Sequence, residues 1–316
     1  MPQRQSDVLI MNEITQQILK EITDWDGVFS GAYSLRENGE CISFQNSDNI
    51  RIVKKEDKPG IDIYISENAK GETVYIPACV TKSDVQDLVY NDFHIQSGAN
   101  VTIVAGCGVH TDSEEGSGHN GIHRFFLEAG SRAVYKEKHI GIGKGAGKRV
   151  IDPVTYAELS EGAVLEMETL QLRGVDRTVR DTKAILGKGA KLIIHESIMT
   201  DNDETAETKF AVDLNGEDSV VDLVSRSVAK GNSFQQYSSE INGNVRCSGH
   251  SECDAILADN GRVNAAPALN AATIDAALIH EAAIGKIAGE QIIKLMTLGL
   301  TEEEAEEQII AGFLGA

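Results

Sequence analysis

Short alternating runs of apolar and polar residues dominate the chain from about residue 50 onward. Arg51-Ile52-Val53 and Ile61-Asp62-Ile63-Tyr64-Ile65 carry β-branched residues at period two, the signature of half-buried strands. A glycine then leads repeatedly into such a run, at Gly98, Gly130, Gly162, Gly189 and Gly216. The intervals are 32, 32, 27 and 27 residues. A period in that range, carried by strands alone, predicts a solenoid in which each coil buries its inward side chains on the next. An antiparallel sandwich with similar turn spacing is the alternative on the repeat alone. The last strands are expected over 231–268, broken by the polar, cysteine-bearing stretch Cys247-Ser248-Gly249-His250-Ser251-Glu252-Cys253.

The two ends carry a different period. Over 7–25, Leu9 (or Ile10), Ile14, Ile18, Ile22 and Trp25 fall on one helical face, with Gly27 as the stop. Over 279–313 two short helices are expected. Ile292, Ile293, Leu295 and Met296 make the apolar face of the first, and Gly299 follows as a C-cap. Thr301 and Glu304 form a capping box for the second, whose stripe is Ala305, Ile309, Ile310 and Phe313. Helices this short are marginal alone, so their apolar faces must bury against the body or a partner.

Composition narrows the function. Aromatics are 5% against 30 glycines, which suits a regular β-core of small aliphatic residues. The formal charge of −20 argues against nucleic acid and anionic membrane surfaces as partners. No apolar run approaches the roughly 20 residues of a membrane span, and the first residues lack a signal-peptide core. Five scattered cysteines fit a reducing compartment better than a disulfide framework. The expected location is cytoplasmic.

The C-terminal stretch also carries a motif: His280-Glu281-Ala282, Gly285-Lys286-Ile287, Glu290-Gln291-Ile292, Gly299-Leu300-Thr301-Glu302-Glu303 and Ala305, closing on Gly312-Phe313. This ordered set resembles the SufB/SufD family, scaffolds of the SUF system for iron–sulfur cluster assembly. The resemblance implies a right-handed parallel β-helix with helical segments at its ends. The expected division is an N-terminal helical segment over 1–49, a β-helix core over 50–275 and a C-terminal helical domain over 276–316. The resemblance further implies that this last part docks a SufC-like ABC-type ATPase, and that two scaffold protomers, identical or related, pair through their β-helices. It implies a transient iron–sulfur cluster at that interface, with a sulfur donor and apoprotein acceptors as further partners. ATP hydrolysis belongs to the ATPase, and the chain itself is expected not to be an enzyme.

Cys253-Asp254-Ala255-Ile256-Leu257 matches the family's C-D-x-(L/I)-L pattern ahead of His280. By that resemblance Cys253 is the cluster-associated cysteine, with His280 and Glu281 completing the set. Thiolate is the preferred cluster ligand, and imidazole or carboxylate substitutes on single irons. If 247–253 is a strand, Cys247, Gly249, Ser251 and Cys253 share a face, making Cys247 a second sulfur candidate. His250, a further candidate, then points the other way unless a bulge intervenes. The family's D-C-G-A turn is replaced by Asn260-Gly261-Arg262, and Ile279 stands where glutamate often precedes His-Glu.

A second cluster joins Cys107 and His110 to His119 and His123 through a glycine-rich acidic loop. C-x2-H with H-x3-H has metal-finger spacing, so zinc or iron is expected there. A metallohydrolase would need a base such as Glu114 or Glu115, and nothing in the sequence fixes one. Gly141–Lys148 lacks the Ser/Thr of a phosphate loop, since Arg149 follows Lys148. His94, His139 and His195 read as structural, and Cys41 and Cys79 have no ligand company. The rival classes are a carbohydrate-active β-helix enzyme, disfavoured by a single Trp, and a passive metal-stabilised solenoid.

Overall fold

The computed structural model describes residues 11–315. After α1 (Glu13–Thr23) come two antiparallel hairpins, β1 (Ala32–Glu37) with β2 (Glu40–Gln45), and β3 (Ile50–Lys54) with β4 (Gly60–Ile65). The chain then winds through β5 (Lys70–Val80), β6 (Gln86–Ile95), β7 (Asn100–His110), β8 (Ser117–Leu127), β9 (Arg132–Ile142), β10 (Arg149–Ile151) and β11 (Val154–Leu159). It continues as β12 (Val164–Arg173), β13 (Arg177–Leu186), β14 (Lys191–Thr200), β15 (Thr205–Leu214) and β16 (Ser219–Ala229). The final strands are β17 (Phe234–Gly243), β18 (Cys247–Leu257), β19 (Arg262–Ala271) and β20 (Ala276–Gly285), followed by α2 (Gly289–Met296) and α3 (Glu302–Leu314).

Alternate strands build two sheets. Sheet one runs β2-β1-β5-β7-β9-β12-β14-β16-β18-β20, and sheet two runs β19-β17-β15-β13-β10-β8-β6-β4-β3, with β11 also between β8 and β13. Beyond the hairpins all pairing is parallel, so the chain is a β-solenoid of about eight turns. Arg132 lies beside Val164, Val164 beside Lys191, and Lys191 beside Val220. Side chains alternate inward and outward with period two. The inward ones, small aliphatics with few rings such as the stacked pair Phe93–Phe125, form one continuous core.

The repeat is set at the corners. Gly98, Gly130, Gly162 and Gly189 all take left-handed φ of 62–69°, and each amide bonds a carbonyl of the next coil. Gly216 does not follow them. Asp218 takes the left-handed position instead, at φ 61°, while Gly216 lies so close to the preceding corner that a Cβ would meet Gly187 C at 2.0 Å.

The ends depart from expectation in three places. Residues 32–45, expected within a helical segment, form the β1–β2 hairpin, whose first strand pairs in parallel with β5. α1 ends on the left-handed Asp24 rather than at Gly27, Trp25 lies beyond it, and the expected positions Leu9 and Ile10 fall outside the described residues. Residues 276–285, expected at the front of the helical domain, form β20, in register with β18 from Cys247↔Ala276 to Ile256↔Gly285.

α1 lies on the outer face of sheet one with Ile18, Leu19 and Ile22 buried. The seat is made by Gly106 and Gly108: a Cβ at Gly108 would stand 2.3 Å from Ile18 Cγ2. α3 has the expected capping box and packs on the same sheet farther along. Ala305, Ile310 and Leu314 are its buried residues, and the Ser197 hydroxyl donates to the Leu314 carbonyl at 2.9 Å. α2 buries nothing, and Ile293 is 62% exposed. Among the described residues no helix is long and apolar enough to cross a membrane.

Candidate functional site

Among the described residues no strand pairs beyond the last coil. β20 closes sheet one and β19 closes sheet two, each with an unpaired edge. At this end β18 alternates as expected: Cys247, Gly249, Ser251 and Cys253 face inward and are buried. His250 faces outward, where Nδ1 meets Asp222 at 2.8 Å.

Register places the remaining members of the set. His280 lies beside Ser251 and faces inward, two residues back from Ala282, the neighbour of Cys253. Cys253 and His280 are therefore diagonal neighbours on one face, on the order of 8 Å apart from the strand spacing and rise. Glu281 lies beside Glu252 on the outer face, so strand alternation separates it from Cys253 within the single chain. Cys247 is at the other end of β18, beside Ala276, two positions beyond the rung of Gly249.

His280 Nδ1 is buried and has no hydrogen-bond partner among the described residues. The hydroxyl beside it is committed elsewhere, since Ser251 is bonded to Tyr237 and Ser239, both at 2.9 Å. A buried imidazole nitrogen left bare costs about 1–3 kcal/mol unless something occupies it. Burial, then the nearby carboxylates of Glu196 and Asp254, push the Cys253 thiol up to about 12. Burial likewise raises Cys247. Both are thiols at neutral pH in the free chain, so a metal must displace their protons to bind.

Beneath Cys253 the inward column of sheet one is polar: Glu137, Thr169, Glu196, Ser225 and Cys253 stack on successive coils. Glu196 accepts from Ser225 at 2.8 Å and from Thr208 at 3.0 Å, and Arg180 lies against it at 3.3 Å. Burial raises the Glu137 carboxyl, but His139 and Arg180 more than reverse this and hold it well below the usual range. Sequence reasoning missed this column. Its only signal is single polar residues at strand positions where the repeat has aliphatic ones.

The second sequence cluster does not assemble as a four-ligand site. No three of Cys107, His110, His119 and His123 bring ligand atoms within 4.8 Å of one another. Cys107 faces inward, its thiol raised by burial, whereas His110 is at an outward position and pairs with Asp112 at 3.1 Å. His119 and His123 lie inward on sheet two. The Cys-Gly-x-His spacing reflects the seat of α1 and the strand period, not a finger. His139, read as structural, is buried between Glu137 and Arg180, and His94 stacks between Tyr64 and Phe126. Asp62, Asp92 and His94 do cluster within 4.8 Å, but Lys55 bridges both carboxylates and Arg124 pairs with Asp92. The glycine-rich loop 143–148 stacks its backbone on 111–117, with Gly147 N bonded to Ser113 O at 2.8 Å, and forms no phosphate cradle.

Comparison with known proteins finds similar sequences over most of the chain. The model of the SufBD core domain, SUF system FeS cluster assembly, matches residues 82–313. An iron–sulfur cluster assembly SufBD family protein of Archaeoglobus fulgidus is 27% identical over 271 residues, covering 84% of this chain and 72% of that one. One of Methanothermobacter thermautotrophicus (strain Delta H) is 27% identical over 252 residues, covering 77% of this chain and 59% of its own length. A Pyrococcus horikoshii member is 32% identical over 183 residues, 57% of this chain and 55% of that one. The chain thus spans between about half and three-quarters of these relatives. With its family match running from β6 through α3, the chain belongs to the SufBD family of iron–sulfur cluster assembly proteins.

Proposed function

We propose that the chain is a scaffold on which an iron–sulfur cluster is built at the open end of the solenoid, and that the cluster is cargo, not a resident group. The observation that carries this reading is the buried, unpartnered His280 Nδ1 on the same inward face as Cys253, at the uncapped last coil. Cys253 supplies thiolate and His280 an imidazole nitrogen, a donor pair suited to iron. Glu281, on the outer face, reaches the site only where the strand edge meets another protomer. A second copy, or a related subunit, closes the end by pairing along β19 and β20, so that each contributes ligands. Cys247 is a reserve thiol on the same face, and His250 is committed to Asp222.

The exposed apolar face of α2 is the docking surface for a SufC-like ABC-type ATPase, whose hydrolysis opens and closes the interface. The chain itself turns over no substrate; the sulfur donor and the apoprotein acceptors meet it at the open end in the cytoplasm. The test is reconstitution of the protein under air-free conditions with ferrous iron and sulfide. Bound iron and acid-labile sulfide with a broad visible absorption are expected, and His280→Ala should lower both. A protein that stays colourless and retains neither would overturn the proposal.

A further inference from the structure

Toward the opposite end of the solenoid the two sheets, with the 54–61 segment, line a partly open cavity of about 710 Å³. Its walls include Cys107, Glu137 and His139 from sheet one, and His119, Gly121 and His123 from sheet two. His119 and His123 are 5% and 7% exposed. Each has one ring nitrogen fixed by a neighbour. His119 Nδ1 lies 3.0 Å from Asp87 Oδ2, and a carboxylate accepts, so this nitrogen carries the proton. Asp87 is itself clamped by Arg36 at 2.6 and 2.8 Å. His123 Nδ1 lies 2.9 Å from the Tyr135 oxygen, and the Tyr135 proton is given to Glu137 at 2.7 Å. His123 Nδ1 is therefore the donor to that oxygen. Both rings are left with a bare lone pair on Nε2, and neither Nε2 has a protein partner among the described residues.

Both nitrogens border a residue without a side chain. A Cβ placed on Gly121 would stand 2.6 Å from His123 Nε2 and 3.5 Å from His119 Nε2. The space that Gly121 leaves is thus flanked by two bare imidazole nitrogens. Burial pushes His123 down to about 4, so it is neutral at physiological pH and suited to a cation rather than an anion. Metal-binding histidines typically give their other ring N–H to a carboxylate, carbonyl or hydroxyl, the arrangement seen here at Asp87 and Tyr135.

We infer that this cavity binds one divalent first-row transition-metal ion through His119 Nε2 and His123 Nε2, with Asp87 and Tyr135 orienting the two rings. No third protein ligand atom completes the group within 4.8 Å, so the remaining positions are open to water or to a ligand entering the cavity. Imidazole serves ferrous iron and zinc alike, and the site is defined by that shared chemistry. It is separate from the cluster site at Cys253 and does not depend on the function proposed for that end.

The experiment uses the full chain carrying Cys253→Ser and His280→Ala, stripped of metal, so that the open end cannot compete. Titrated with Co(II), it should show ligand-field absorption and retain one cobalt per chain after desalting. His119→Ala with His123→Ala should abolish both, His110→Ala should change neither, and Asp87→Asn should weaken binding about 10- to 100-fold. X-ray absorption of the cobalt-loaded parent, which needs no further variant, should show a shell of two imidazole nitrogens. No cobalt retained by the parent, cobalt retained by the double histidine variant, loss on His110→Ala, or a shell lacking imidazole would each overturn the site.

Discussion

At the scale of single residues, burial before anything else makes two acidic groups hold their protons more tightly than they do in water. Cys253 is one: its thiol is pushed up to about 12, so it stays protonated at neutral pH in the free chain, and any metal that binds there must displace the proton. Glu204 is the other. Burial first, then Asp176 and Asp201, raise its carboxyl to about 7, although the Asp201 amide donates to it at 2.9 Å. Between pH 4.5 and 7 the folded chain keeps a proton there that the unfolded chain has lost, so this group makes stability fall as pH rises through that window. Glu204→Gln keeps the acceptor and removes the titration. The variant should match wild type at pH 4 and exceed it at pH 8 by about 1–2 kcal/mol, after discounting for partial exposure. Urea unfolding at the two pH values measures it, and equal midpoints at pH 8 would show that the carboxylate ionises freely in the fold.

At the scale of elements, the two C-terminal helices divide their work. α3 buries Ala305, Ile310 and Leu314 on the solenoid, while α2 leaves Ile293 62% and Met296 42% exposed, and Leu298 just beyond it is 76% exposed. Ile293→Glu should therefore leave the thermal midpoint nearly unchanged, as exposed substitutions do, and cut co-purification of the ATPase partner proposed above at least tenfold. Undiminished co-purification would move the docking surface elsewhere. Much of this level was legible in the sequence, because strand alternation and capping are local. The capping box at Thr301–Glu304 and the shared face of Cys247 and Cys253 are read directly from spacing. β20 was not legible as a strand: its Ala-rich run and Gly285 have weak strand propensity, and pairing with β18 decides its form. For the same reason the sequence could not show that Glu281 turns away from Cys253. Nor could it show that Gly106 and Gly108 make room for a helix nearly ninety residues earlier in the chain.

At the scale of the whole molecule, the solenoid is closed along its length and open at one end. The repeat predicted that closure from glycine spacing, but the polar inward column from Glu137 to Cys253 needs the register of five coils, which no single coil encodes. An uncapped edge in parallel sheets is a template for another chain. If two protomers pair there, edge amides in 262–271 and 276–285 should exchange slowly at concentrations where sedimentation shows a dimer, and quickly on dilution. Exchange independent of concentration would place the dimer contact elsewhere. The central claim, that Cys253 holds the growing cluster, is tested most directly by air-free reconstitution of Cys253→Ser beside Cys41→Ser and wild type. Serine keeps nearly the same volume, so the fold survives while the strongest iron ligand is lost. Bound iron, sulfide and visible absorption should fall at least tenfold in Cys253→Ser and stay at the wild-type level in Cys41→Ser, whose cysteine is exposed and remote. A Cys253→Ser protein that assembles as much cluster as wild type would contradict the claim.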